Sequence, residues 1–255
     1  MLTTGIILQT RDYGEADELA VFFSKELGRM TGIAKNARRS RWRFAGHIEP
    51  LSVTELLLRQ RKKDNLVWID ECCVRSGHLN LRHDIFKVAW AEYFVELTCI
   101  FSPEGHPDPP IYDFVCEFLD ELDASNITPV RLIMQELRFL GLLGYMPRFD
   151  KCPICGKELI QGQNAYFDPR AGGACHPECT TGPHRECIKL SPAALAVANR
   201  AASIDKVAAA RIRLHKQSID ELRSALTAFV RCLRGGEIHA LLFMEKLNSW
   251  LSDDP

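Results

Sequence analysis

The chain has 255 residues, 46% hydrophobic and 25% charged, with 32 Lys and Arg against 33 Asp and Glu and a formal net charge of −1. This composition excludes a disordered chain. The near-neutral balance excludes nucleic-acid binding driven by a global positive field, so any such binding needs a local patch. No apolar run reaches the roughly 18 residues of a membrane span, and MLTTGIILQTRDY lacks the basic start and long apolar core of a signal peptide, so the expectation is a cytoplasmic protein without a membrane segment.

Residues 1 to about 80 read as β. Thr4–Thr10 is rich in β-formers, and Leu19–Phe23 is a short apolar run. Met30–Ala34 returns after a turn at Gly28, which makes a hairpin. Residues 48–59, IEPLSVTELLLR, are mixed: Leu56–Leu58 alone would permit a helix, but Val53 and Thr54 favour a strand. Leu66–Val74 closes the set after a polar turn. Five short strands in about 75 residues predict a small closed barrel, and the five-stranded barrel that binds oligonucleotides is the OB-fold.

Within this β region lies the basic stretch TGIAKNARRSRWRFAGHIEP, residues 31–50. It carries Lys35, Arg38, Arg39, Arg41 and Arg43, has no acid before Glu49, and places Trp42 and Phe44 among the charges. Guanidinium groups neutralise phosphates and aromatic faces stack on bases, so a basic, aromatic-interleaved connection between strands suits a nucleic-acid backbone. Arg11, Arg59, Arg61 and Lys62 extend the track if they share its face. The bland alternatives are a solvated loop and, for both aromatics, a place in the core.

From about Leu81 the period changes to 3.6. Ile85, Val88, Ala89, Phe94 and Val95 mark a helix that stops near Pro103. Ile111, Phe114, Val115, Phe118, Leu119 and Leu122 mark a second. Thr128–Pro129 opens a third through Ile133, Met134, Leu137 and Leu140, ended by Gly144. The ten acids between Asp84 and Asp123 face only Lys87 and are expected on outward helix faces. Ser191–Pro192 starts another helix, and Ser218 with Glu221 reads as a capping box for the next, broken at Gly235–Gly236. Ile238, Leu241, Leu242, Glu245 and Leu247 carry a final amphipathic helix.

Residues from 150 to about 190 are irregular and hold the metal-like pattern. Cys152-Pro-Ile-Cys155-Gly is a C-x-x-C knuckle, and Cys175-His176-Pro-Glu-Cys179 follows about twenty residues later. Two thiolate pairs at this separation form a zinc-ribbon-like set in which a tetrahedral site closes around a structural ion. The expected ligands are Cys152, Cys155, Cys175 and Cys179. His176 is the alternative to Cys175, with His184 and Cys187 in reserve. Cys72, Cys73, Cys99, Cys116 and Cys232 are expected as buried core thiols.

In order along the chain, TGIILQTRDYGEADELAVFFSKELGRMTGIAKNARRS, RWRF–G–IEP, LRFLGLLGYMP leading into CPICG, FDPRAGGA and SPAAL resemble the RecO family of bacterial recombination mediators and DNA-repair proteins. The departure is at ACHPEC, where the family has C-x-x-C after its Gly pair. Here His176 stands where the first of those cysteines falls. The resemblance implies an N-terminal OB-fold and a helical domain with a zinc knuckle. It implies binding of single- and double-stranded DNA and annealing of complementary strands. It also implies work with RecR and with the acidic tail of single-strand-binding protein, so that RecA loads at gaps.

The resulting expectation is an α+β protein: an OB-fold over 1–80, then a helical domain over 81–255 interrupted by a zinc knuckle at about 150–190. It is a nucleoid-associated DNA-binding mediator and not an enzyme, with Lys35, Arg38, Arg39, Arg41, Arg43, Trp42 and Arg11 on DNA. No P-loop, H-E-x-x-H or G-x-S-x-G motif occurs. The rivals are a zinc-stabilised scaffold that binds an acidic protein and a zinc nuclease with an open metal position.

Overall fold

Alternation of apolar and polar residues builds the first five strands of this computed structural model, which describes residues 1–40, 42–44, 48–60, 66–160, 162–181, 186–200 and 212–252. Strands β1 (Leu2–Tyr13), β2 (Asp17–Ser24), β3 (Gly28–Ala34), β4 (Val53–Gln60) and β5 (Val67–Ser76) close a barrel in the order β1-β2-β3-β5-β4. All neighbours are antiparallel except β3 and β5, which pair in parallel from Gly32 opposite Val67 to Ala34 opposite Ile69. This is the expected five-stranded OB-fold. β1 serves two partners: Leu2–Ile6 pair with β4 and Gly5–Tyr13 with β2, and the register with β2 shifts around Leu8.

Ile7, Ala20, Phe22, Leu56, Leu58 and Ile69 fill the barrel. Leu56 and Leu58 point inward and Leu57 outward, so the strand reading of the mixed segment holds. The strand starts at Val53 rather than Ile48; Ile48 and Leu51 enter the core from an irregular lead-in. Gly28 opens β3 at φ +70°, and a Cβ there would lie 2.0 Å from the His106 carbonyl oxygen, so this turn admits only glycine.

Helix α1 (Ile85–Phe101) begins where Asp84 accepts from the Phe86 and Lys87 N–H groups. α2 (Pro109–Ala124) begins where Asp108 accepts from Ile111 N–H. Phe94 and Phe118 meet at 4.3 Å between ring centroids. The final helix, α6 (His239–Ser252), packs on α1. Glu96 of α1 accepts from the His239 and Ala240 N–H groups at 2.9 and 2.7 Å, capping α6 from another helix. Several of the acids expected on outward faces are thus helix-end acceptors. The thiol expectation is also corrected. Cys72 is buried, Cys99 and Cys116 are half-buried, and Cys73 and Cys232 are exposed, because strand alternation turns Cys73 away from the barrel that takes Cys72.

The chain forms two compact units: Met1–Ser125 together with the segment from His239, and Asn126–Ile238. The barrel ends at Ser76, and its unit also contains α1, α2 and α6. The second unit holds α3 (Pro129–Leu142), α4 (Pro192–Arg200), α5 (Lys216–Arg234) and a small sheet in the order β7-β6-β8, made of β6 (Ala165–Asp168), β7 (Gly173–Cys175) and β8 (Ile188–Leu190). α3 and α5 flank the cysteine segment in sequence and pack together, as expected. Phe167 joins the layers, 5.7 Å from Phe149 and edge-on to Phe229 at 5.8 Å. The capping-box expectation fails. α5 starts three residues earlier, at Lys216, and Ser218 lies inside it, bonded to the Ser191 hydroxyl at 2.9 Å. Glu221 accepts from Ser191 N–H at 2.7 Å, so both residues secure the start of α4 instead.

Candidate nucleic-acid surface and metal centre

The basic connection leaves β3 through Asn36, whose backbone is left-handed at φ 55° and whose N–H is held by the Asp17 carboxylate at 2.9 Å. A single helical turn, Ala37–Arg39, follows. Ala37 is buried in the barrel core, which directs Arg38 and Arg39 to solvent. The Arg43 carbonyl accepts from Cys72 N–H at 3.3 Å and hooks the segment onto β5. Of the two interleaved aromatics, Phe44 is core at 4% exposure and Trp42 is 92% exposed. Only Trp42 has a face free for a base; Phe44 serves as the anchor that presents it.

Four of the cations on this surface have defined partners. Lys35 Nζ lies 4.5 Å from the centroid of Trp68. The Arg43 guanidinium donates to the Lys35 and Asp70 carbonyls and sits 5.0 Å from the Phe44 ring. Arg38 pairs with Asp12 at 3.0 Å. Arg59 grips Asp70 with two bonds, at 3.0 and 2.9 Å, and this guanidinium holds the Asp70 carboxyl below its ordinary range. Arg11 is exposed on β1 beside Asp12. Arg41, Arg61, Lys62 and His184 lie outside the described residues. Asp12 and Asp70 carried no motif, and only the three-dimensional register reveals them as partners of the basic track.

In the second unit, the segment 150–159 folds back on itself. Cys152 N–H donates to Lys157 O at 2.9 Å, Leu159 N–H to Asp150 O at 2.9 Å, and Gly156 N–H to Cys152 O at 2.8 Å, with Gly156 at φ +74°. This turn places Cys152 and Cys155 side by side. The other half arrives on β7. Gly173 runs against Arg148, where a Cβ would come 2.6 Å from the Arg148 carbonyl oxygen, so glycine permits the close pairing that brings the two halves together. Sγ of Cys152, Cys155 and Cys179 and a ring nitrogen of His176 all lie within 4.8 Å of one another.

The group of four that converges differs from the expected set: His176 joins it and Cys175 does not. Cys175 is the last residue of β7 and its side chain is fully buried, with Sγ 3.7 Å from Gly173 O. His176, the next residue, projects towards the knuckle. His176-x-x-Cys179 has the same spacing as Cys152-x-x-Cys155, and this was the available signal. The reserve ligand Cys187 is outside the group of four as well.

His176 Nε2 lies 3.1 Å from the Glu158 carbonyl, which can only accept. That nitrogen carries the proton and leaves Nδ1, 3.4 Å from Cys155 Sγ, as the donor to an ion. Burial pushes the Cys152 thiol up, but backbone N–H groups of Cys155, His176 and Ile154, with the His176 ring, outweigh it and bring it to about 6. Burial and the neighbouring Cys155 and Cys152 sulfurs push Cys179 up to about 11, and burial pushes Cys175 up to about 12. Three converging sulfurs with one imidazole are a donor set that a tetrahedral divalent cation satisfies.

Among the described residues no helix is long and apolar enough to cross a membrane. Residues 1–77 match the family described as Recombination protein O N terminal, and residues 82–241 match Recombination protein O C terminal. A DNA repair protein RecO of Anaeromyxobacter sp. (strain K) is 33% identical over 248 residues, covering 97% of both chains. One from Syntrophus aciditrophicus (strain SB) is 28% identical over 246 residues, covering 96% of this chain and 95% of the relative. One from Dehalococcoides mccartyi (strain ATCC BAA-2266 / KCTC 15142 / 195) is 29% identical over 246 residues, with the same shares. Barrel, cysteine-rich insertion and helices are all covered by these matches, and the chain belongs to the RecO family of DNA-repair recombination mediators.

Proposed function

We propose that the chain binds single- and double-stranded DNA through the surface formed by Lys35, Arg38, Arg39, Arg43 and Trp42 beside the barrel, with Arg11 and Arg59 at its margins, and anneals complementary strands there. As a mediator of the RecFOR-type pathway it works with RecR and with the tail of single-strand-binding protein to load RecA. The observation that carries the site is the pairing of an exposed Trp42 with cations held on an anchored connection. Annealing needs no catalytic group. It needs a surface that lowers the repulsion between two polyanions and tolerates any base sequence, which phosphate neutralisation and aromatic stacking supply.

Cys152, Cys155, His176 and Cys179 would hold Zn²⁺ as a closed structural site. With four protein donors no position remains for substrate, so the ion's contribution is to lock the 150–180 segment. The work of this region belongs to the chain: the knuckle N–H groups stabilise the Cys152 thiolate, and the Glu158 carbonyl orients His176.

The test is annealing of complementary strands coated with single-strand-binding protein, without ATP, across a salt series. Rapid annealing that fades as salt rises supports the reading. Binding that does not change with salt would favour the protein-scaffold alternative, and degraded strands would show a nuclease.

A further inference from the structure

The cations of the basic surface are not bare. Arg38 sits 3.0 Å from the Asp12 carboxylate, and Arg59 makes a two-pronged pair with Asp70. The Asp70 residue touches the surface twice, since its carbonyl also accepts from Arg43. Arg39, by contrast, has no ion-pair partner among the described residues. Both acids are open to solvent: the Asp12 side chain is 68% exposed and that of Asp70 36%. Neither is needed to neutralise a buried charge, because Arg38 and Arg59 are themselves about half to two-thirds exposed. An exposed pair of this kind adds little to folding. Its effect falls on whatever else competes for the guanidinium.

We propose that Asp12 and Asp70 are built-in counterions of the nucleic-acid surface, occupying Arg38 and Arg59 until a phosphate displaces them. This rests on the DNA-binding reading above and adds its regulation. A fixed carboxylate differs from a bound chloride in that it cannot leave. When phosphate takes the guanidinium, the freed carboxylate stays nearby, repels the DNA and gathers a cation from solution. Each such exchange weakens binding and reduces the net release of ions. The surface keeps its arginines extended and ordered, yet lets a strand go, as repeated cycles of pairing require.

The experiment compares Asp12→Asn, Asp70→Asn and the double variant with the wild-type chain, by equilibrium binding of a fluorescent oligothymidine over a salt series. Asp113→Asn is the control. It removes the same charge and breaks an equally close pair, Lys25 to Asp113 at 2.8 Å. That pair sits at the opposite end of the β2–β3 hairpin, about 20 Å from Ala34 at strand spacing. The expected result is binding about three- to five-fold tighter for each of Asp12→Asn and Asp70→Asn at low salt. The slope of log K against log[salt] should steepen by up to about 0.9 per carboxylate removed, with no change for Asp113→Asn. Unchanged or weaker binding by both Asp12→Asn and Asp70→Asn, while charge reversal of Arg38 and Arg43 still abolishes binding, would overturn the counterions and leave the surface standing. Binding insensitive to that charge reversal would remove the surface itself, and the counterions with it.

Discussion

Replacing His176 with Ala, and in a second variant Cys175 with Ala, separates two neighbouring residues that make opposite predictions for the metal. His176 Nδ1 faces the knuckle, and its far nitrogen is steered by the Glu158 carbonyl. Cys175 is fully buried and outside the set of four donors. Structural zinc sites bind with about 10–16 kcal/mol, or about 2.5–4 kcal/mol for each of four donors. Losing the imidazole should therefore weaken zinc by about 10²–10³-fold. Losing the Cys175 sulfur should leave zinc affinity nearly intact and cost about 1 kcal/mol of packing in its unit. The assay is zinc content by mass spectrometry after equilibration with a chromophoric chelator of graded concentration. The expected outcome is that His176→Ala surrenders its metal at chelator levels where wild type and Cys175→Ala keep theirs. A zinc-replete His176→Ala beside an empty Cys175→Ala would show that the buried thiol is the ligand.

Trp42→Ala should weaken single-strand binding by about 1–3 kcal/mol, the value of one stacked base, and leave the melting temperature unchanged because the ring is exposed. Phe44→Ala should cost about 3–5 kcal/mol of stability, read by denaturant titration, because that ring is core. Gly173→Ala should lower zinc affinity with all four donors in place, because a methyl there forces β7 away from Arg148; the chelator titration above reads it. Burial holds the Glu92 carboxyl above its ordinary value of 4.5, with Glu96 adding to the effect and Arg82 opposing it. The folded state therefore takes up that proton more readily than the unfolded chain, so its contribution is fully present below 4.5 and is lost as pH rises through the folded value. Glu92→Gln should accordingly raise the melting temperature at pH 7, with the gain vanishing as pH falls towards 4.5.

Strand and helix identity was legible because periodicity survives whatever the tertiary context. The six apolar positions of α2 are all buried, and the alternation at Leu56–Leu58 decides for a strand. Local spacing was less informative where a distant partner decides. Ser218 and Glu221 have the spacing of a cap, but the start of α4 claims both, so α5 begins earlier. Trp42 and Phe44 are two residues apart with the same composition around them, and only the hook between Arg43 and Cys72 tells which ring enters the barrel. Thiolate is the commoner ligand and favours Cys175, whereas the matching x-x spacing of both pairs favours His176, the residue found in the cluster. Charge patterning places the acids of α1 on an outward face, and Glu96 instead reaches a helix 143 residues away in sequence.

That last contact bears on the order in which the molecule is made. A ribosome delivers the barrel, α1 and α2 first, then the whole of the second unit, and only afterwards the helix that covers α1. In sequence, the second unit is an insertion within the first, beginning after Ser125 and ending before His239. During synthesis it can complete its own packing while the older unit still waits, with the face of α1 bare and the Glu96 carboxylate without the amides it will later receive. A premature stop just before residue 239 would therefore damage the unit whose translation began first and spare the one inserted within it.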